Sequence, residues 1–158
     1  MLAIIRGAGD IASAIALRLH KCGASVIMTE VEHPLTVRRT VAFSEAIHSG
    51  KTQVEGVVGV RAENVDDALR RALEGVVPVL VDPKCSCIWL EPDVLVDAIL
   101  AKHNVGTTIG MAPIVIGIGP GFTAGDDCHA VSKPCAVTRS VACITRVRHF
   151  QTPQCRGL

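Results

Sequence analysis

A glycine-rich turn near the start of the chain constrains its fold more than any other feature. Residues 2–5 form an apolar run that is typical of a buried strand. Gly7, Gly9 and Ala12 follow with the spacing G-x-G-x-x-A, and apolar side chains then recur at helical spacing up to position 19. This pattern predicts a strand that runs into a helix through a tight turn, as in the first βα unit of dinucleotide-binding folds.

The turn is a candidate phosphate site, and we take Gly7, Gly9, Asp10 and Ala12 as its residues. Glycines let a pyrophosphate approach the backbone, and a small third residue lets the helix pack closely on the strand. Backbone N–H groups and the positive end of the helix dipole attract the anion, so no charged side chain is required. The alternative is a turn in which the glycines only permit tight packing.

An acidic residue follows the next predicted strand. Gly23 ends the first helix, and residues 24–29 are rich in β-forming side chains, which predicts the second strand of a βαβ unit. Glu30 ends this strand, 21 positions after Gly9. An acid at about this distance binds the ribose hydroxyls in dinucleotide folds, so Glu30 joins the candidate site.

Two adjacent arginines lie in the segment that follows. Pro34 can open a helix, which an apolar stripe continues to Gly50. Arg38 and Arg39 would project from the first turns of that helix, and guanidinium groups match the geometry of a phosphate. The alternative is that both arginines belong to a solvated helix face.

The rest of the chain alternates predicted strands with predicted helices. In chain order these are extended segments around Gly56, a helix over residues 65–73 capped by Asn64, and buried strands over residues 76–81 and 113–118. Residues 93–98 fit either a strand or the first turns of a helix. We therefore predict an α/β fold of the Rossmann-like type, with a mainly parallel sheet and flanking helices.

A second glycine cluster follows the last predicted strand. Gly119 and Gly121 lie in residues 117–125, and their N–H groups are candidates to line the same crevice as the first turn. The cluster lacks the Gly-Lys-Ser/Thr of a P-loop, which disfavours nucleotide hydrolysis. The alternative is a flexible turn.

Cysteines and acidic clusters give weaker signals. Cys85 and Cys87 are too close for half of a zinc ribbon, which prefers C-x₂₋₄-C, and no second pair at metal spacing accompanies them. Residues 126–129 combine Asp, Cys and His, but adjacent loop residues rarely converge on one point. We therefore predict no metal site, and we interpret the seven cysteines as reduced thiols. The alternatives are a soft-metal or redox role for Cys85 and Cys87, and a metal or acid/base role for residues 126–129.

Composition narrows the class of protein. A length of 158 residues with 49% hydrophobic content suits one domain with a real core. The apolar stretches fall far short of the ~20 residues of a membrane span, and the start lacks a signal-peptide pattern, so we expect a soluble, cytoplasmic protein. A net charge of +1 argues against nucleic acid as a partner. The lack of any Tyr excludes the Tyr–Lys pair of short-chain dehydrogenases.

Seven short strings of residues are more specific than the general pattern of a Rossmann-like fold. They lie at residues 6–12, 28–30, 34–35, 37–46, 79–83, 92–98 and 116–125. The strings Arg-Arg-Thr-Val-Ala-Phe-Ser-Glu-Ala and Gly-Pro-Gly-Phe-Thr-Ala-Gly are much more specific than the dinucleotide turn. In consistent order over residues 1–131, the strings resemble the YqeB-like family of accessory proteins in selenium-dependent molybdenum hydroxylase systems.

This resemblance implies a role rather than a defined reaction. Family members help to mature or insert the molybdenum cofactor of xanthine dehydrogenase and related hydroxylases. The implied partners are a molybdenum hydroxylase apoenzyme or other maturation factors, and a small phosphate-bearing ligand. Candidates for that ligand are NAD(P) or another nucleotide, and molybdopterin. The resemblance assigns no catalytic residue.

The resemblance ends near Val131. Residues 1–131 hold eleven Lys and Arg and fifteen Asp and Glu, whereas residues 132–158 hold five Lys and Arg and no acid. Family members continue with a segment like Glu-Thr-Met-Arg-Gly-His. Residues 132–137 can be written with codons that, when they are read one base earlier, encode much of this segment. We therefore predict a Rossmann-like domain over residues 1–131 and a poorly ordered, out-of-frame tail over residues 132–158, which truncates the protein. The alternative is a natural basic tail that binds an anionic partner.

Two other functions remain open at this point. One is an NAD(P)-dependent oxidoreductase that acts on a small metabolite, for which Asp82, Asp126, Asp127 and His129 are the available acid/base groups. The other is a non-catalytic module that binds a protein partner.

Overall fold

The computed structural model of the protein describes residues 1–133 and residues 143–144. The strands are β1 Leu2–Arg6, β2 Ser25–Glu30, β3 Lys51–Val54, β4 Val57–Ala62, β5 Val77–Val81, β6 Val94–Asp97, β7 Ile114–Ile118, β8 Ala130–Lys133 and β9 Cys143–Ile144. The helices are α1 Asp10–Lys21, α2 Glu45–Ser49 and α3 Val65–Leu73, and three short 3₁₀ helices cover Arg39–Val41, Ser86–Leu90 and Ile109–Met111.

The strands form one sheet in the order β3-β4-β5-β2-β1-β6-β7-β8-β9. Pairing is parallel throughout, except that β3 runs antiparallel to β4 and β9 runs antiparallel to β8. The predicted α/β fold with a mainly parallel sheet is therefore confirmed. From β1, the chain places β2 and β5 on one side and β6, β7 and β8 on the other. The point between β1 and β6 is the topological switch point, where ligands bind in open sheets of this kind.

The core has two layers, one on each face of the sheet. Side chains alternate along β1, so Ala3 and Ile5 pack with α1 on one face, whereas Ile4 packs with α3 on the other. Small residues such as Ala16 let α1 lie close to the strands. Because parallel strands are covered on both faces, the sequence of each central strand is almost uniformly apolar.

Several local predictions are confirmed by the structure. The first helix ends before Gly23, whose φ of 84° is in the left-handed region that favours glycine. The side chain of Asn64 accepts a hydrogen bond from the N–H of Asp67 at 2.8 Å and caps α3. Residues 94–97, which periodicity left undecided, form a strand that pairs with β1 and β7.

The predicted helix from Pro34 to Gly50 is wrong. Only the 3₁₀ turn Arg39–Val41 and the short helix α2 form in this segment. Leu35 and Val37 are 97% and 95% exposed, so the apolar residues here do not make one buried face.

Contacts with the glycine turn explain why this segment is irregular. The N–H of Phe43 donates to Ser13 Oγ at 2.8 Å, and the N–H of Ser44 donates to the carbonyl of Ala8 at 2.9 Å. These long-range bonds hold the backbone before α2 against α1. Phe43 is then fully buried beneath β4, where a Cβ on Gly59 would lie only 2.4 Å from the ring. Tertiary contacts therefore override the local helical pattern.

The proposed boundary after residue 131 falls inside β8, where Ser132 continues the pairing with Ile118. Apart from residues 132–133 and 143–144, the tail that we predict to be out of frame lies outside the described residues.

Candidate functional site

A crevice of about 410 Å³ opens at the carboxyl ends of β1, β2 and β6. The glycine turn between β1 and α1 forms one wall, residues 34–38 form a second, and residues 98–100 form a third. Glu30 lies at the base of the crevice at the end of β2. The crevice therefore occupies the switch point of the sheet, where the sequence places its candidate phosphate site.

Gly7 is required by the fold itself. Its φ is 93°, and its N–H donates to the carbonyl of Thr29 at 2.8 Å. A Cβ at this position would lie 2.9 Å from the carbonyl oxygen of Ala98. Both the dihedral angle and the contact exclude a side chain, so Gly7 lets the loop after β6 approach the turn.

Gly9, unlike Gly7, is not required by the fold. Its φ of −71° and ψ of −172° suit any residue, and a Cβ there would meet no protein atom within 4 Å. Gly9 is the N-cap of α1 and lines the crevice, and it provides no capping side chain. Neither backbone strain nor packing within the described protein explains a glycine here. Its missing side chain leaves the first N–H groups of α1 open towards the crevice.

Ala12 and Ser13 join the turn to its surroundings. Ala12 is buried against the strands, as the third position of the fingerprint predicts. Ser13 is fully buried, and its hydroxyl donates to the carbonyl of Ala8 at 3.1 Å while it accepts the N–H of Phe43. Ser13 thereby fixes the segment that carries the second wall. No sequence pattern indicates this role, because a Ser inside a helix is common.

The carboxylate of Glu30 is held by two backbone N–H groups. Oε2 accepts from Ala8 at 2.8 Å, and Oε1 accepts from Val31 at 2.9 Å. These bonds fix the side chain beside the glycine turn. Each oxygen keeps acceptor capacity for a ligand hydroxyl, because an ionised carboxylate has about four lone-pair sites.

Asp10 and Arg38 form an ion pair across the crevice. Nε of Arg38 lies 2.6 Å from Oδ2 of Asp10, which is in the first turn of α1. The other carboxylate oxygen of Asp10 is buried and has no hydrogen-bond partner in the described structure. A carboxylate here is stabilised by the helix dipole but also repels an anionic ligand, and Arg38 offsets that charge.

Three of the predicted site residues lie away from the crevice. Arg39 points towards Glu45 at 3.9 Å and borders a separate hollow beside β3. The N–H of Gly119 donates to the carbonyl of Ser132. A Cβ on Gly121 would lie 2.6 Å from the carbonyl carbon of His103, so this glycine permits close packing of two loops. Neither glycine lines the crevice.

The second and third walls of the crevice are largely apolar. They contain Leu35 and Val37 on one side and Ile99 and Leu100 on the other. All four side chains are markedly exposed to solvent. Such a surface suits a flat heterocyclic ring, whose apolar faces stack on aliphatic side chains.

The four acid/base candidates of the oxidoreductase hypothesis do not line the crevice. The carboxylate of Asp82 accepts from the hydroxyl of Ser86 and the N–H of Cys87, each at 2.9 Å. Asp127 accepts from the N–H of Thr123, and Nδ1 of His129 accepts from the N–H of Val115. Three of the candidates thus stabilise loops, and the fourth, Asp126, is exposed.

A buried ion pair supports the crevice from the opposite face of the sheet. Nη1 of Arg6 lies 3.1 Å from Oδ2 of Asp97 and 2.5 Å from the hydroxyl of Thr107. Nη2 donates to the carbonyls of Pro83 and Val105 at 3.3 and 3.1 Å. Arg6 and Asp97 end the two strands that flank the switch point, so this cluster fixes their relative position.

Within residues 1–133 and 143–144, no group of three His, Cys, Asp or Glu side chains is arranged to hold a metal ion. No helix in that same part of the chain is long and apolar enough to cross a membrane.

The fold and the crevice define an α/β protein with a glycine turn at the switch point of its sheet. Its sequence is similar to the uncharacterized protein YqeB of Escherichia coli K12, with 54% identity over 131 residues. That match covers 82% of this chain and 24% of YqeB, so the chain spans about a quarter of the relative's length. The identity supports the relationship to the YqeB-like family that the motifs indicate. No family model and no solved structure matches the chain.

Proposed function

We propose that this chain binds a nucleotide or another phosphate ester in the crevice at the glycine turn. The observation that carries the proposal is Gly9, a glycine that the fold does not need and that borders the crevice. A phosphate at the N-terminus of α1 explains it, because the anion must approach the backbone N–H groups closely.

The other walls provide partners for the rest of such a ligand. Glu30, fixed by two N–H groups, accepts hydroxyl groups of a ribose or a similar diol. The exposed side chains of Leu35, Val37 and Leu100 then cover the face of a base or a pterin ring. When the phosphate binds, it competes with Asp10 for the guanidinium of Arg38.

The wider role follows from the family relationship. We propose that the chain is an accessory protein for maturation or insertion of the molybdenum cofactor in selenium-dependent molybdenum hydroxylases. The strings shared with the family support this role, whereas the identity to the uncharacterized protein YqeB supports the relationship alone. NAD(P), other nucleotides and molybdopterin all carry the phosphate and flat ring that the crevice suits, and the partner is a hydroxylase apoenzyme or another maturation factor.

Calorimetric titration of the full chain with NAD, NADP, ATP, CTP and molybdopterin tests the binding proposal. We expect at least one of these ligands to bind, and we expect Gly9→Asp to abolish binding because the new carboxylate fills the phosphate position. Gly110→Ala is the matched control, since Gly110 also has open space around its Cβ and no positive φ, but lies outside the crevice. Absence of binding, or equal binding by Gly9→Asp, overturns the proposal.

Co-purification with a molybdenum hydroxylase apoenzyme tests the accessory role separately. We expect the apoenzyme to be retained by the chain and to lose retention, or cofactor content, with Gly9→Asp. Retention that Gly9→Asp leaves unchanged favours a partner-binding module in which the crevice has no part.

The nucleotide sequence tests the proposal that residues 132–158 are out of frame. We expect a one-base shift near codon 132 to restore an open frame that continues beyond codon 158 with the family's motifs. If neither alternative frame stays open, the tail is the natural one.

A further inference from the structure

Two thiols outside the crevice meet in the core on the α3 side of the sheet. Cys85 follows β5 as the N-cap of the 3₁₀ helix Ser86–Leu90, and Cys87 lies within that helix. Both are buried in the same core cluster, with exposures of 1% and 0%, and each thiol is the largest influence on the pKa of the other. Neither takes part in the function proposed above.

The loop that carries the two thiols is held in a specific conformation. Cys85 has φ 56° and ψ 45°, a left-handed geometry that is uncommon for a residue with a side chain. Asp82 maintains it, because its carbonyl accepts the N–H of Cys85 at 3.0 Å and its carboxylate accepts the N–H of Cys87 at 2.9 Å. This arrangement leaves both side chains in the buried core on the α3 side of the sheet.

The surroundings of the two sulfurs make them chemically unequal. A hydrogen bond from the thiol of Cys87 and the positive charge of Arg6 lower the pKa of Cys85, against the effect of burial. The contact with Cys85, together with burial, raises the pKa of Cys87. Nε of Arg6 is buried without a hydrogen-bond partner in the described structure, whereas the negative charges of Asp82 and Asp97 act to raise the pKa of Cys85.

We infer that Cys85 and Cys87 are a peroxide-sensitive dithiol that closes reversibly to a disulfide. The Cys85 thiolate attacks one oxygen of hydrogen peroxide, the O–O bond breaks, and the leaving hydroxide takes a proton to become water. Cys85 is then a sulfenic acid. The sulfur of Cys87 then attacks the sulfur of the Cys85 sulfenic acid and displaces the hydroxyl group from it. The S–S bond forms, and the proton of the Cys87 thiol leaves with the displaced hydroxide as a second water. Two thiols are oxidised, and one peroxide is reduced.

The position of the thiols favours a small oxidant. Pro83, Lys84 and Ser86 are exposed, so the sulfurs lie just beneath a surface loop. Hydrogen peroxide is close to water in size, so it needs a smaller opening of this loop than a bulky disulfide such as oxidised glutathione.

Peptide mapping of the native, peroxide-treated full chain tests this inference. Trypsin cleavage after Lys84 and Lys102 releases residues 85–102, a fragment whose only cysteines are Cys85 and Cys87. We expect this fragment to lose two hydrogen atoms on oxidation and to regain them with dithiothreitol. If both thiols stay reduced under conditions that oxidise the exposed Cys22, the inference is overturned.

Two variants separate the roles of the sulfurs. Cys87→Ser removes the resolving thiol, so Cys85 should accumulate as a sulfenic acid that dimedone traps. Cys128→Ala is the matched control, because it removes another buried thiol of the same core layer and should leave disulfide closure unchanged. Circular dichroism verifies that each variant is folded. A folded Cys87→Ser protein without trapped sulfenic acid would show that Cys85 is not the attacking thiol, which also overturns the inference.

Discussion

Single residues at the glycine turn have separable roles in folding and in ligand binding. Gly7 occupies a backbone conformation and a contact that only glycine allows, whereas Gly9 occupies neither. The two glycines are only two positions apart in the fingerprint, yet Gly7 serves the protein's own packing. Gly9 leaves open space at the crevice, which the proposed ligand would fill.

We predict that Gly7→Ala destabilises the protein by about 1–3 kcal/mol, because it adds a left-handed alanine and a contact with the Ala98 carbonyl. Gly9→Ala should change stability by less than about 1 kcal/mol, the usual effect of a modest change of N-cap. Urea unfolding of both variants measures the difference. Equal destabilisation would show that Gly9 also has a structural role.

Glu30 is expected to recognise the hydroxyl groups of the ligand. We predict that Glu30→Gln weakens binding of the best nucleotide about tenfold, because a neutral amide accepts hydroxyl hydrogen bonds less strongly than a carboxylate. Glu32→Gln is the control, since Glu32 is exposed, near in sequence and outside the crevice. Calorimetry with the same ligand measures both, and equal affinities for the two variants contradict the role of Glu30.

At the scale of elements, the loop after β5 depends on one carboxylate. Asp82 accepts hydrogen bonds from the hydroxyl of Ser86 and the N–H of Cys87, and so closes the start of the 3₁₀ helix. Burial acts to raise the pKa of Asp82, but these donors outweigh it, and the pKa lies below its ordinary value of 3.8. The charged form of Asp82 is therefore the one that the folded loop requires.

The stability that Asp82 contributes should depend on pH. Since its pKa is lower in the folded state, the contribution is complete above the unfolded pKa of about 4 and is lost as the pH falls through the folded pKa. We predict that Asp82→Asn destabilises the protein by about 1–2 kcal/mol at pH 7 and by progressively less below pH ~4. Urea unfolding at several pH values measures this.

Asp126→Asn is the control for that measurement, because Asp126 is an exposed loop carboxylate. If the difference in the free energy of unfolding between wild type and Asp82→Asn stays constant down to the lowest pH, this contradicts the role of the Asp82 charge.

At the scale of the whole molecule, the cluster of Arg6, Asp97 and Thr107 joins the end of β1 to the end of β6 and the loop that follows it. Arg6 is 91 positions from Asp97 and 101 from Thr107, and all three side chains are buried. The cluster lies where β1 meets β6, so it holds together the two halves of the sheet whose junction forms the crevice.

We predict that Asp97→Asn destabilises the protein by about 3–5 kcal/mol, because it leaves the buried guanidinium of Arg6 without a counter-charge. Asp10→Asn, which breaks the more exposed pair with Arg38, should cost less than about 1 kcal/mol. Thermal and urea unfolding of the two variants provide the comparison. Similar losses for both would show that burial does not set the strength of the Arg6 pair.

The sequence predicted the elements whose signals are local. The glycine turn, the amphipathic helix α1, the Asn64 cap and the central strands each follow from residues a few positions apart. The crevice at the turn and the place of Glu30 beside it also followed, because a βαβ unit has a single usual handedness and brings the ends of its strands together.

The tertiary structure decided what distant residues impose on each other. Residues 34–44 give a helical pattern but are held irregular by Ser13 and Ala8. Arg38 reaches the crevice while Arg39 does not, although the two arginines are adjacent in the sequence. The contact of Cys85 with Cys87 needs a left-handed residue that no sequence pattern announces. In each case the deciding bonds join residues far apart in the chain, and a local pattern carries no information about such partners.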